Sequence, residues 1–382
     1  MPITTLRYVG ITPTDNAAAA ARATEIATAF ADFIKAAQAS LDIAIYHFNL
    51  SGAEAPIVLG ALQDAVARNV TVRVAYYDEK PRGDKTMSHH ALGGGDWEPD
   101  GLAPLAATGV QMKPIYGLTL ETLPPGVTER PVEGSNLMHS KYMIADQKSV
   151  WTGTGNFTTE AWSLQDNNFV LFSDEPQIAE YYGDDFFDLW NNGTILKSGT
   201  NDRARLTLSA VDVEVDFSPG DGIDIEGDLA DLVSNAQSSV QVASMVISSA
   251  RFMDALIAAK ARGIAISGIY DEGQMDMVTQ DWDRAVRKSG SAKSQAKLDQ
   301  WNQVKTSLVA KHSRRYSPHA DTSKLNFMHC KTLVVDSQIV LTGSFNFSEN
   351  AARNAENIVI LRNPGIASDF AAYISKLVDT YK

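Results

Sequence analysis

Residues 138–157 (MHSKYMIADQKSVWTGTGNF) and 328–347 (MHCKTLVVDSQIVLTGSFNF) are two versions of one segment, identical at nine of twenty positions at a constant offset of 190. Ordinary composition alone gives roughly one or two identities in such a window. The likeness continues at shifting offsets: ADFIKAAQAS (31–40) matches ADLVSNAQSS (230–239), and YDE recurs at 77–79 and 270–272. Pro176 and Pro364 each open an aromatic-rich helical segment. The period is far beyond the roughly 20–45 residues of a solenoid unit, so the chain must hold two copies of one domain. The junction falls at 197–205 (KSGTNDRAR), giving one domain over 1–200 and another over 201–382. With both copies on one chain, the molecule is expected to act as a monomer.

Each copy alternates helical and strand-like stretches. Residues 17–39 place Ile26, Phe30, Phe33, Ile34 and Ala37 on one helical face behind a capping cluster at Thr14–Asn16. A short apolar strand (41–48), a helix (54–68) and a second strand (70–77) follow; the second copy repeats them at 240–247, 251–261 and 264–270. The last helix carries Phe370, Tyr373, Ile374, Leu377, Val378 and Tyr381 on its apolar face. Strands alternating with helices of this length predict an α/β fold whose sheet is covered on both faces.

The chemistry lies in the repeated polar residues. After each histidine the pattern is strand-like (KYMIAD, KTLVVD), so residues two apart share a face. His139 and Lys141 therefore point one way, as do His329 and Lys331, with Ser140 and Cys330 turned away. An imidazole beside an ammonium is poor core packing: both lose hydration and repel, and an anion is the natural third party. Across a pseudo-twofold axis, the two His–Lys pairs with Asn156 and Asn346 make a phosphate-sized site without a metal or cofactor. A neutral imidazole attacks phosphorus and an imidazolium protonates a departing alkoxide. The lysines and amides stabilise charge on the remaining oxygens. Asp166 and Glu356 align at the same offset and suit the task of bonding each imidazole Nδ1. Asp146 and Asp336, five residues beyond their lysines, fall at a strand-ending turn and read as structural.

Both copies thus match H-x-K-x4-D followed by G-[ST]-x-N, with Gly153, Thr154 and Asn156 in the first and Gly343, Ser344 and Asn346 in the second. In these motifs, and in the helix–strand–helix–strand openings of both halves, the chain resembles the phospholipase D superfamily. The resemblance implies a duplicated α/β sandwich of two pseudo-twofold-related lobes, each a mixed sheet flanked by helices, with one active site at their interface. It implies metal-independent phosphodiester exchange through a phosphohistidine, with His139 as nucleophile, His329 as acid, and Thr154 and Ser344 beside the substrate. The first copy departs in having Asp166 for Glu356 and Thr154 for Ser344, so the two histidines are expected to be tuned differently.

Substrate class rests on charge and two insertions. The net charge of −13 disfavours coating nucleic acid through bulk attraction. Residues 284–324 run the other way, with ten Lys and Arg against Asp299 and Asp321. They read as a patch for anionic headgroups or single-stranded nucleic acid, or as a solvated helix face. Residues 115–127 (IYGLTLETLPPGV) read as an interfacial loop or as one folded on its own surface. The favoured reading is a phosphatidyl lipid at a membrane surface, hydrolysed or transphosphatidylated. A nuclease on single-stranded nucleic acid and a non-catalytic phosphate-binding scaffold are the alternatives.

No stretch approaches the roughly 18 apolar residues of a membrane span, and Met1–Ala20 lacks a signal-peptide pattern. A cytoplasmic protein or a processed secreted form is expected. His47 points into the cleft or away from it; His89 and His90, before Gly93–Gly95, read as loop rather than a metal pair; His312 and His319 read as surface. Trp97 and Trp301 stay open between stacking and anchoring, and the lone Cys330 reads as packing.

Overall fold

Helix α1 (Asn16–Ala36) begins where the Asp15 carboxylate accepts the Ala18 N–H at 3.0 Å, and it buries Ala23, Ile26, Ala27, Phe30, Ala31 and Ile34. That three-and-four spacing is one helical face packed on a sheet. The structure, a computed structural model, describes residues 3–78, 102–116, 136–200, 203–209, 211–313 and 325–382. The first half runs β1 (Ile3–Tyr8), α1, β2 (Ser40–Ile45), β3 (Phe48–Asn49), α2 (Glu54–Ala67), β4 (Thr71–Asp78), α3 (Leu102–Ala106) and β5 (Gln111–Tyr116). It continues with β6 (Lys141–Ala145), β7 (Ser149–Gly153), β8 (Phe157–Thr158), α4 (Thr159–Ser163), β9 (Asn167–Phe172) and α5 (Pro176–Asn192). The second half has β10 (Ala204–Leu208), β11 (Val211–Ser218), α6 (Gly222–Ser234), β12 (Ser239–Ser244), α7 (Ala250–Ala261), β13 (Ala265–Asp271), α8 (Glu272–Ser289) and α9 (Ala292–Val304). It ends with β14 (Val309–Lys311), β15 (Lys331–Val335), β16 (Ile339–Gly343), β17 (Glu356–Arg362) and α10 (Pro364–Tyr381).

One sheet has the order β1-β9-β7-β6-β2-β4-β5 and the other β10-β11-β17-β16-β15-β12-β13-β14; β3 and β8 form a small parallel ladder. The run β9-β7-β6-β2-β4-β5 matches β17-β16-β15-β12-β13-β14 strand for strand, so the repeat in sequence is a repeat in fold. Helices α1 and α2 cover the outer face of the first sheet, α6 and α7 that of the second. Between the sheets, α5 and α10 share a core that includes Tyr142, Phe172, Tyr182, Phe217 and Phe370. This is the duplicated α/β sandwich that the sequence resemblance implied.

The β6–β7 and β15–β16 hairpins turn through Asp146-Gln147 and Asp336-Ser337, with φ of 52°, 52°, 53° and 51°. Both central residues being left-handed matches the twist of the flanking strands. The Asp146 carboxylate accepts the N–H groups of Gln38, Ala39 and Ser40 (2.6 to 3.1 Å), and Asp336 accepts those of Gln237, Ser238 and Ser239 (2.7 to 2.9 Å). Partial burial raises both carboxyls, but the backbone donors outweigh it and leave them below the usual range.

The fold divides the basic insertion: five of its ten cations lie in α8 and α9, and Lys305, Lys311, Arg314, Arg315 and Lys324 lie beyond them. Its window opens inside α8; over α8 and α9 together, Arg284, Arg287, Lys288, Lys293 and Lys297 stand against Glu272, Asp276, Asp281, Asp283 and Asp299, a net charge of zero. Arg284 pairs with Asp281 at 2.9 Å, Arg287 with Asp283 at 2.6 Å, and Lys293 and Lys297 both reach Glu349. Trp301 is buried with its ring 4.9 Å from that of Tyr270, a core contact rather than a stacking platform. Among the described residues no helix is long and apolar enough to cross a membrane. Residues 117–127, His89, His90, Gly93–Gly95, Trp97, Arg314, Arg315, His319, Asp321 and Lys324 lie outside the described residues.

Candidate active site

The two repeated histidines sit where the chain enters β6 and β15, and each is held by the opposite half. His139 N–H donates to Ala355 O at 2.7 Å and His329 N–H to Asp166 O at 3.1 Å, within parallel bridges Met138–Ala355 and Asp166–Met328. The side chains are almost wholly enclosed: His139 is 7% exposed, His329 4%, Lys141 1% and Lys331 0%. Lys141 Nζ donates to His139 O at 2.6 Å and Lys331 Nζ to His329 O at 2.7 Å, which uses one of the three donors on each ammonium.

Burial lowers the pKa of His139, and the charges of Lys141 and Lys331 lower it further. Burial, Lys331, Lys141 and His139 do the same to His329. Each ring therefore feels both ammonium groups. Burial also takes Lys141 well below its ordinary value and Lys331 down to about 7. The carboxyl nearest them, Glu356, is itself pushed up to about 8 by burial, against the pull of Lys141. Asn156 and Asn346 follow β7 and β16, and their Oδ1 atoms are buried with no hydrogen-bond partner among the described residues.

The glycine before each motif hydroxyl is required by close approach. A Cβ on Gly153 would lie 2.3 Å from Asn168 O, and one on Gly343 2.2 Å from Asn357 O. That contact also sets the true register between the copies. Gly153 pairs with Phe169 and Gly343 with Ile358; Thr154 N–H donates to Asn168 O and Ser344 N–H to Asn357 O, both at 2.9 Å. The counterpart of Glu356 is therefore Asn167, and that of Asp166 is Ala355. The constant sequence offset fails here because the connecting loops differ by one residue.

His139 Nδ1 meets Glu356 Oε2 at 2.7 Å, and Asn354 Nδ2 donates to Glu356 Oε1 at 3.0 Å. His329 Nδ1 meets Asn167 Oδ1 at 3.0 Å. Asp166, expected to bond an imidazole Nδ1, instead accepts from Gly10 N–H at 2.6 Å, Lys311 Nζ at 2.6 Å and the Tyr381 hydroxyl at 3.1 Å. Thr154 and Ser344 also depart from expectation. Both are fully buried: the Thr154 hydroxyl donates to Asn167 Oδ1 at 2.8 Å and accepts Asn168 N–H, and Ser344 Oγ accepts Asn357 N–H at 2.8 Å. They frame the residues behind the histidines rather than facing a substrate.

Sequence reasoning missed Asn167, Asn354, Lys311 and Tyr46. The Tyr46 ring lies 4.8 Å from that of His139 and 5.2 Å from Lys141 Nζ. Its counterpart is Met245, since Tyr46 N–H donates to Ser140 O and Met245 N–H to Cys330 O. Half-buried His47 adjoins the site: burial and the Lys141 charge lower it to about 4. His312 is exposed beside Glu272. The buried Cys330 thiol lies 3.3 Å from the Tyr373 hydroxyl and is pushed up to about 12 by burial. Among the described residues, Glu214, Asp216 and Asp228 lie close enough to share a cation, and the Arg203 guanidinium already bridges them.

A family model described as "Cardiolipin synthase, PLD-like domain" matches residues 30–190 and 229–378. The chain is similar to the Phospholipase D of Rickettsia conorii, 26% identical over 144 residues, which is 37% of this chain and 58% of that protein. It is also similar to the Mitochondrial cardiolipin hydrolase of Xenopus laevis, 31% identical over 86 residues, 22% of this chain and 37% of that protein. The chain thus matches less than two thirds of the length of these curated relatives. In fold it is similar to the crystal structure of phosphatidylserine synthase from Haemophilus influenzae Rd KW20, with a TM-score of 0.58 at 12% identity, covering 98% of this chain and 88% of that one. With one family match over each copy of the repeat, the chain belongs to the phospholipase D-like family.

Proposed function

We propose that the chain is a phospholipase D-type phosphodiesterase that exchanges the alcohol of a phosphatidyl lipid through a phosphohistidine. The observation that carries this reading is the pair of enclosed imidazoles, each bonded through Nδ1 to the opposite half and each lowered in pKa by the charges of both Lys141 and Lys331. With Nδ1 tied to Glu356, His139 presents Nε2 to phosphorus. A P–N bond forms as the P–O bond to the headgroup alcohol breaks, and His329 gives that oxygen its proton. Neutral His329 then takes a proton from water or a primary alcohol, whose oxygen displaces His139 from phosphorus. Lys141, Lys331 and the amides of Asn156 and Asn346 donate to the non-bridging oxygens, each worth about 3–4 kcal/mol in a dry site.

The choice of a phosphatidyl lipid is supported by the net charge of −13 and by the electrical neutrality of the α8–α9 hairpin, which removes five of the ten basic residues from the nucleic-acid argument. The named activities of the relatives point the same way. On this reading the lobes at 1–200 and 201–382 act together as one monomer. The deciding experiment sets phosphatidylcholine vesicles beside single-stranded DNA, with His139→Ala as control. Expected are phosphatidate from vesicles, phosphatidylethanol when ethanol is added, and neither from the variant. Turnover of DNA alone, falling steeply with moderate salt, would assign a nuclease; wild-type turnover by His139→Ala would remove histidine from the mechanism.

A further inference from the structure

Asn167 stands in the first half where Glu356 stands in the second, so the two histidines are backed by different chemistry. The Asn167 amide is fixed from three sides: Nδ2 donates to Ala161 O at 2.9 Å, while Oδ1 accepts the Thr154 hydroxyl at 2.8 Å and faces His329 Nδ1 at 3.0 Å. Turning the amide over would set its oxygen against the Ala161 carbonyl, two acceptors in contact. An amide oxygen only accepts, so His329 Nδ1 carries the hydrogen and Nε2 faces the reaction. Among the described residues, no carboxylate takes the place of the amide at His329 Nδ1. Asp166 is held away by Lys311, itself 2% exposed, together with Gly10 N–H and the Tyr381 hydroxyl.

We propose that Asn167 is the positioning residue of His329: it fixes the Nδ1–H tautomer while withholding the negative charge that Glu356 offers His139. An imidazolium without a carboxylate behind it gives up its proton more readily, which suits His329 to protonate the departing alcohol. His139, backed by a carboxylate, is the more nucleophilic ring. The other groups facing His329 are Lys331 on its own strand and Lys141 and His139 from the first half, all of which also disfavour the imidazolium. Asp271 meets the residue before His329, accepting Met328 N–H at 2.8 Å, and it also accepts Gln274 N–H at 2.9 Å and the Ser313 hydroxyl at 2.6 Å. The split into acid and nucleophile rests on the phosphoryl-transfer reading; the tautomer does not.

The test is nitrogen-edited NMR of the full chain labelled at its seven histidines, with the His329 signal identified by its loss in His329→Asn. The wild type is expected to show His329 as Nδ1–H. Asn167→Leu is expected to shift it toward Nε2–H and to lower kcat at least about tenfold. Asn167→Asp is expected to keep Nδ1–H and to raise the His329 titration by about one pH unit or more. The double variant Lys311→Met with Asp166→Asn removes the ion pair without stranding a charge, and is expected to leave the tautomer as in the wild type. An Nε2–H ring in the wild type, an unchanged ring in folded Asn167→Leu, or a changed ring in the double variant would each overturn the proposal. Because the tautomer is read without substrate, it is judged separately from turnover of phosphatidyl lipid.

Discussion

A buried ammonium is unfavourable unless an anion lies beside it, and Lys331 is fully enclosed with its pKa drawn down to about 7 by burial. On the phosphoryl-transfer reading proposed above, a bound phosphodiester supplies that anion. Groups depressed in the free protein then hold their protons more tightly, so binding takes protons up, most clearly between about 7 and the ordinary lysine value of 10.5. Calorimetry with inorganic phosphate in buffers of differing ionisation enthalpy is expected to register net uptake at pH 8; release would contradict this electrostatic account. Lys331→Met removes the charge where it is most needed. It should slow kcat by about a hundredfold or more, near 3 kcal/mol. A loss under about tenfold would place Nζ away from the reacting phosphate.

At the scale of elements, the turn acids show how a motif residue can serve the frame. Asp336 gathers three backbone N–H donors at the start of β12. Asp336→Ala should lower stability by about 1–2 kcal/mol, read as a lower Tm at pH 7. Its folded pKa lies below the ordinary aspartate value of 3.8, so this contribution is present above about 4 and is lost as pH falls through the folded value. The difference in Tm between variant and wild type should therefore narrow in acid; a constant gap would point to packing instead.

Elements carried by local pattern were legible in the sequence: the Ile26–Phe30–Ile34 stripe, the paired hairpins and the two His–Lys strands each rest on spacing within a few residues. The α8–α9 hairpin was not, because a count begun at Arg284 cuts α8 and omits the acids at its start. Nor was the partner of His329. A single residue of loop length separates Asp166 from the place of Glu356, and only the pairing of Gly153 with Phe169 and Gly343 with Ile358 exposes the slip.

The whole molecule is assembled around the layer of α5 and α10 between the sheets. Residues 1–200 expressed alone would expose one side of that layer, so they are expected to aggregate and to be inactive. Coexpression with 201–382 should recover activity, and an active, monomeric 1–200 fragment would refute the shared site. Catalysis assigned to imidazole and ammonium groups should survive excess EDTA; a loss restored by zinc would require a different chemistry.

Amide opposite carboxylate also has a hereditary side. In a twofold pair of identical subunits a single codon writes both places, and any mutation there appears twice. Asn167 and Glu356 lie in one chain, so each has its own codon. Selection can then adjust the surroundings of His329 and of His139 as separate traits.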